Sequence, residues 1–290
     1  MQQDIYAAAC LDSAYAHMIE GAKKRNRLYE DAHSRFFVEG SRKLISTLYG
    51  ALPGLQEKVL EAGNQGCTGF AIARSMMMDD MICRVKPVQV VLLGGGYACR
   101  ESVIYRKLKR VNVFALERPD ILAKKQAGLE KISRRLAKKN DTLAFTLHEH
   151  TRYLPYDGQT DIWQTLCEAG LDAAAKTLVI SEMYLALLER SKAEQILHTL
   201  CQHLPQHSHI CFDFICGPTE QGVQGYVMFS GAKEQGEYIK PVDTQKFMKA
   251  YDVSKAVIRS GRYLQHNYLK NPSKVGRLVT TDLALMDITI

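Results

Sequence analysis

The chain lacks any run of apolar residues near the roughly 18 that a membrane span requires, so no spanning helix is expected. It also lacks an apolar segment behind a basic amino-terminal start, and a cytoplasmic setting is the expectation. Its eight cysteines include no C-x-x-C pair and no zinc-ligand spacing. That argues against a disulfide framework or structural metal and for reduced thiols packed as small apolar groups. Tryptophan occurs once, and no aromatic residues interleave the basic stretches, so a nucleic-acid partner is not expected. Internal repeats and low-complexity linkers are absent too, which leaves no sign of a second independent domain.

What is present is an ordinary globular composition, 46% hydrophobic over 290 residues, with a formal net charge of +7. Much of that excess sits in Arg106 to Arg110 and Lys124 to Lys139. In the second stretch Leu122, Leu129, Ile132 and Leu136 recur at helical spacing, so the charges fall on the opposite, solvated face.

The most informative segment is Val88-Gln89-Val90-Val91-Leu92-Leu93-Gly94-Gly95-Gly96-Tyr97. A continuous apolar run followed by three glycines predicts a central parallel strand ending in a glycine turn. A helix from Arg100 to Arg110 and a second strand, Val111 to Leu116, follow, and this strand stops at Glu117. Glu117 lies roughly 20 residues past the glycines, where nucleotide-binding units place an acid for ribose hydroxyls. Upstream, residues 1–86 read as a helical cap, including a helix from Gly69 to Val85 that Pro87 ends. Downstream, residues 87–290 alternate strand and helix. Thr142 to Leu147 is expected as the third strand, ending in His148-Glu149-His150-Thr151-Arg152; Thr177 to Glu182 as the fourth; and Ser208 to Ile215 as the fifth. A helix from Thr244 to Ser260 and one or two strands between Arg277 and Ile288 complete the pattern. It predicts an α/β fold, a doubly wound and mostly parallel sheet with the cap packed on it as a single structural unit.

In such a sheet, ligands bind outside the carboxyl ends of the strands, so Gly94, Gly95, Gly96, Tyr97, Glu117, His150, Thr151 and Glu182 are expected around one crevice. Cys99 stands where a dinucleotide fingerprint asks for glycine or alanine, which disfavours a nicotinamide-dependent oxidoreductase. Arg74, just upstream, is suited to a ligand carboxylate, or alternatively to an ion pair with Asp79 or Asp80. A ligand with adenosine at one end and an amino acid at the other is S-adenosylmethionine. His148 and His150 share a strand face, but with no third ligand in view a metal is not expected.

Three segments together carry a resemblance: Ile72-Ala73-Arg74-Ser75 with Asp79-Asp80; Gln89 to Tyr97 with Arg100; and Val113-Phe114-Ala115-Leu116-Glu117-Arg118-Pro119 with Lys124 or Lys125. With Thr177 to Glu182 they resemble the leucine carboxyl methyltransferase family over roughly residues 30 to 200. This is a branch of the class I S-adenosylmethionine-dependent methyltransferases with bacterial O-methyltransferase members. The resemblance implies that Arg74 binds the methionine carboxylate, Gly94 and Gly96 line the methionyl-ribose side, Glu117 holds the ribose hydroxyls, and Glu182 meets the ammonium end. It further implies a small-molecule or carboxylate-bearing methyl acceptor and S-adenosylhomocysteine as product. The chain departs from the family pattern at Ala98-Cys99, at Ala115, at His150-Thr151 before Arg152, and at Leu187-Leu188. These departures keep open a non-catalytic methyltransferase-like protein that binds a ligand or partner. No catalytic base is nominated.

Overall fold

The computed structural model describes residues 2–23, 27–31, 33–38, 66–108, 111–138, 150–215, 244–269, 278–280 and 283–290, with four isolated positions between 43 and 58. Seven strands are described: β1 (Gln89–Leu93), β2 (Asn112–Glu117), β3 (Thr151–Pro155), β4 (Thr177–Ser181), β5 (His209–Ile215), β6 (Lys255–Ser260) and β7 (Leu283–Thr289). They form one sheet in the order β3-β2-β1-β4-β5-β7-β6. All pairings among β1 to β5 are parallel, and β7 runs antiparallel between β5 and β6. The chain thus forms the mostly parallel α/β sheet its alternating pattern predicts.

The strand pleat sends alternate residues of each central strand into two separate cores. Val91, Leu93, Phe114, Leu116 and Val179 face one layer, and Val90, Leu92, Val113, Ala115 and Leu178 the other. All five residues of β1 and of β4 are buried, as central strands covered on both faces require. Helices α1 (Gln2–Ala22), α4 (Pro119–Ala137), α5 (Ile162–Glu168) and α7 (Arg190–His203) contribute to the first core. Helices α2 (Cys67–Val85), α3 (Arg100–Lys107) and α9 (Gly261–Tyr268) contribute to the second. The short helices α6 (Tyr184–Leu187) and α8 (Thr244–Tyr251) and a 3-10 turn at Ser34–Phe36 are also described. Local chemistry sets several boundaries: Pro119 opens α4, Asp161 caps α5 by accepting from the Gln164 amide at 2.8 Å, and Lys86 closes α2 in the left-handed region before Pro87.

The strand that pairs with β2 is Thr151–Pro155; the strand expected over Thr142 to Leu147 lies outside the described residues. One expected element is corrected. The helix expected from Thr244 to Ser260 stops at Tyr251, because Asp252 takes a positive φ of 50° and the β-branched Val257 and Ile258 continue as edge strand β6. The strand order reverses between β1 and β4, and this opens a crevice over their carboxyl ends.

Candidate functional site

The glycine turn after β1 is shaped by close contacts. Gly94 has φ +68°, and a Cβ there would lie 2.1 Å from the Cβ of Tyr184. Gly96 has φ +52°, and its Cβ would lie 2.8 Å from Cys10 Sγ. Both positions need glycine for conformation and for space. Gly95 is open by comparison, with Lys125 Nζ at 4.0 Å as the nearest neighbour of an added Cβ. Tyr97 stacks on Phe37 at 5.3 Å and is buried, which makes it a wall of the turn. Beneath it Lys125, also buried, reaches Ala98 O at 2.9 Å and Glu101 at 3.3 Å, and Tyr153 donates to the same Glu101 at 3.0 Å. Each buried charge under the turn therefore has an opposite charge or a donor.

Glu117 ends β2 and joins that turn. Its Oε2 accepts from the Gly96 amide at 2.7 Å and from the Tyr6 hydroxyl at 3.0 Å, while Oε1 accepts from the Arg118 amide at 2.8 Å. Burial pushes its carboxyl up, and the Arg118 amide, Lys125 and the Gly96 amide pull it back.

Across the crevice stands a buried cluster of two guanidinium groups and three carboxylates. Arg74 pairs with Asp213 at 2.6 Å and lies 3.5 Å from Glu182; Arg100 pairs with Glu182 at 2.7 Å and with Asp79. Burial pushes Glu182 up, but Arg100 and Arg74 outweigh it and hold its carboxyl down at about 2. For Asp213 and Asp79 burial wins, and both carboxyls sit above their ordinary range. The alternative reading of Arg74, an ion pair with a carboxylate of its own helix, meets a different arrangement: Asp79 goes to Arg100, and Arg74 reaches Asp213 on β5. Asp213 escaped the sequence reading, although a carboxylate inside Ile210-Cys211-Phe212-Asp213-Phe214-Ile215 is itself the signal, since such a charge is buried only with a partner.

Two cavities adjoin these groups. The larger, about 500 Å³, lies by the ends of β2, β3 and β4, where Tyr6, Arg118, Asp157, Gln159, Tyr184 and Lys192 line it. The smaller, about 10 Å³, is lined by the glycine turn, Arg74, Glu182 and α1 residues including Cys10 and Ser13. Among the described residues no group of three or more His, Cys, Asp or Glu is placed to hold a metal ion.

A family model described as leucine carboxyl methyltransferase matches residues 10–201, the greater part of the chain. The chain belongs to the leucine carboxyl methyltransferase family. By family and fold it is an S-adenosylmethionine-dependent methyltransferase. The fold comparison rests on a protein from Thermobifida fusca solved as a candidate methyltransferase, 11% identical, with 94% of this chain and 93% of that chain covered and a TM-score of 0.55. An O-methyltransferase family protein from Burkholderia thailandensis aligns at 10% identity over 92% of this chain and 76% of its own, with a TM-score of 0.48. The S-adenosylmethionine-dependent methyltransferase SibL in its apo form aligns at 13% identity and a TM-score of 0.46, over 84% of this chain and 61% of SibL, so the chain spans about three fifths of SibL's length. No curated protein sequence matches significantly.

Within this family member, Arg74, Gly94, Gly95, Gly96, Tyr97, Glu117 and Glu182 gather at the crevice, but His150 and Thr151 do not. Thr151 pairs with Val113 and the His150 carbonyl accepts from the Val113 amide, so both stand at the amino end of β3. Pro155, four residues on, is the one that pairs with Glu117; at about 3.3 Å per residue, Thr151 is roughly 13 Å from the crevice. Their expected position at a carboxyl strand end is corrected. Asp157, which follows Pro155-Tyr156 into an Asp-Gly turn, occupies that place instead. The turn dipeptide was the available signal for it. His17, Ser75 and Asp31 fall in the order of a hydrolytic relay, with His17 Nε2 3.0 Å from Ser75 Oγ and Nδ1 3.8 Å from Asp31. Ser75 and His17 are buried, Arg100 also meets the Ser75 hydroxyl, and burial lowers the imidazole pKa, so this trio is part of the packing beneath α1.

Proposed function

We propose that the crevice binds S-adenosylmethionine and directs its methyl group to an oxygen of a small-molecule or carboxylate-bearing acceptor. The observation that carries this reading is Glu117. It ends β2, is tied to the glycine turn through the Gly96 amide, and accepts a hydroxyl on Oε2 as it would from a ribose. In this reading Glu117 holds the ribose hydroxyls, and the adenine lies in the larger cavity between Arg118 and Asp157. The amino-acid end lies between the glycine turn and the Arg74–Glu182 pair, where carboxylate and ammonium find opposite charges. The donor set fits this cofactor: an acid for a diol, and a mixed-sign cluster for a zwitterion.

When bound, the cofactor supplies an electrophilic methyl group on a sulfonium. The chain's own part is to hold the acceptor oxygen in line with that methyl and to exclude water. A carboxylate acceptor needs no proton removed, which agrees with a site where no base is assigned: Tyr97 is stacked and buried, and His150 lies at the far end of β3. A phenol or alcohol acceptor would call for a base. Isothermal titration with S-adenosylmethionine, S-adenosylhomocysteine and NAD tests the reading. The first two are expected to bind and NAD to give no heat. Glu117→Ala is expected to weaken binding by about tenfold or more, the value of a hydrogen bond to a charged group, while leaving the thermal transition cooperative. Unchanged affinity would remove the ribose role.

A further inference from the structure

Tyr6, Ala9, Cys10 and Ser13 are spaced i, i+3, i+4 and i+7, a single face of α1. That face is laid against the groups assigned above to the cofactor. The Tyr6 hydroxyl donates to Glu117 Oε2 at 3.0 Å, and Cys10 Sγ fills the space over Gly96. The Ser13 hydroxyl accepts from Arg74 Nη2 at 3.2 Å, and Ala9 joins it in walling the smaller cavity. What remains there is about 10 Å³, on the order of a single water. Tyr6 also walls the larger cavity, with its ring edge-on to Tyr184 at 5.5 Å and the Arg118 guanidinium over it at 5.5 Å. One helix face therefore closes the narrow half of the crevice and trims the wide half.

We propose that α1 is a displaceable stopper of the cofactor crevice, in which the Tyr6 hydroxyl stands in for a ribose hydroxyl on Glu117 and Cys10 and Ser13 take the space of the amino-acid end. This rests on the cofactor reading above. The helix and the cofactor cannot hold Glu117 Oε2 and the groove over Gly96 together, so ligand affinity is set by the fraction of molecules in which α1 has withdrawn. Stopper strength then tunes the enzyme without altering any residue that touches the methyl group.

The test compares S-adenosylhomocysteine binding to the full-length wild type and to Tyr6→Phe, with hydrogen–deuterium exchange over residues 5–19 of the wild type with and without that ligand. Phenylalanine keeps the ring and its packing and removes only the competing hydroxyl. Tyr6→Phe is expected to bind roughly tenfold more tightly, and wild-type α1 amides to exchange faster in the complex. Equal or weaker binding by Tyr6→Phe, or slower exchange of α1 in the complex, overturns the stopper while leaving the cofactor site in place. No binding by either protein overturns the cofactor reading, and the stopper with it.

Discussion

Replacing Asp213 with alanine should be among the most damaging single changes in this protein, although the residue lies in the middle of a β-strand. Its side chain is fully buried. Oδ2 is 2.6 Å from Arg74 Nη1, and Oδ1 accepts from the Met183 amide at 2.6 Å. Alanine would leave the Arg74 guanidinium facing Glu182 at 3.5 Å, a carboxylate already engaged by Arg100, and would strip the Met183 amide of its acceptor. Breaking a buried pair from one side costs about 3–5 kcal/mol, because a charge is left uncompensated in low dielectric. For a chain of 290 residues that corresponds to a fall in Tm of about 7 °C. Urea unfolding followed by circular dichroism measures it. The decisive companion is the double replacement Arg74→Met with Asp213→Leu, which removes both charges and should recover most of the loss. A single-mutant loss below about 1 kcal/mol, or a double mutant no more stable than Asp213→Ala, would refute the reasoning.

Gly94→Ala is expected to cost about 2 kcal/mol or more and to depress cofactor binding, because φ +68° disfavours a side chain and the new methyl would collide with Tyr184; a variant of wild-type Tm and affinity would contradict this. The second concerns acid. Glu182 is held at about 2 against an ordinary 4.5, a depressed folded-state value. It therefore contributes about 3 kcal/mol that is fully present above pH 4.5 and is lost as pH falls through 2. Asp213 and Asp79, raised by burial, change in the opposite sense, so the comparison must be with Glu182→Gln. Urea midpoints between pH 5 and pH 2.5 should fall less steeply in Glu182→Gln than in the wild type; parallel slopes would count against the assignment.

Local chemistry alone determined the central half of this protein. Val90 to Leu93 with its three glycines, Val113 to Glu117, and Thr177 to Glu182 each state their conformation in their own residues, because an unbroken apolar run is a strand buried on both faces and a terminal acid is a strand leaving the core. The resemblance to the leucine carboxyl methyltransferase family drew on these same segments, and the family match confirmed it. Elsewhere local pattern misled. Thr151–Pro155 is an ordinary short strand whose position is decided by its pairing with β2, so His150 and Thr151 stand at its amino end and not at the carboxyl end where the chain order suggested them. The residues 255–260 turned from helix to strand because an open edge of β7 was there to receive them. Two features lay beyond any reading of the chain in order. Asp213 meets Arg74 across 139 positions, and Tyr6 meets Glu117 across 111. Contacts at such separation have no local periodicity to announce them. They exist because the sheet's reversal between β1 and β4 makes a crevice, and the tertiary structure lays the first helix across it.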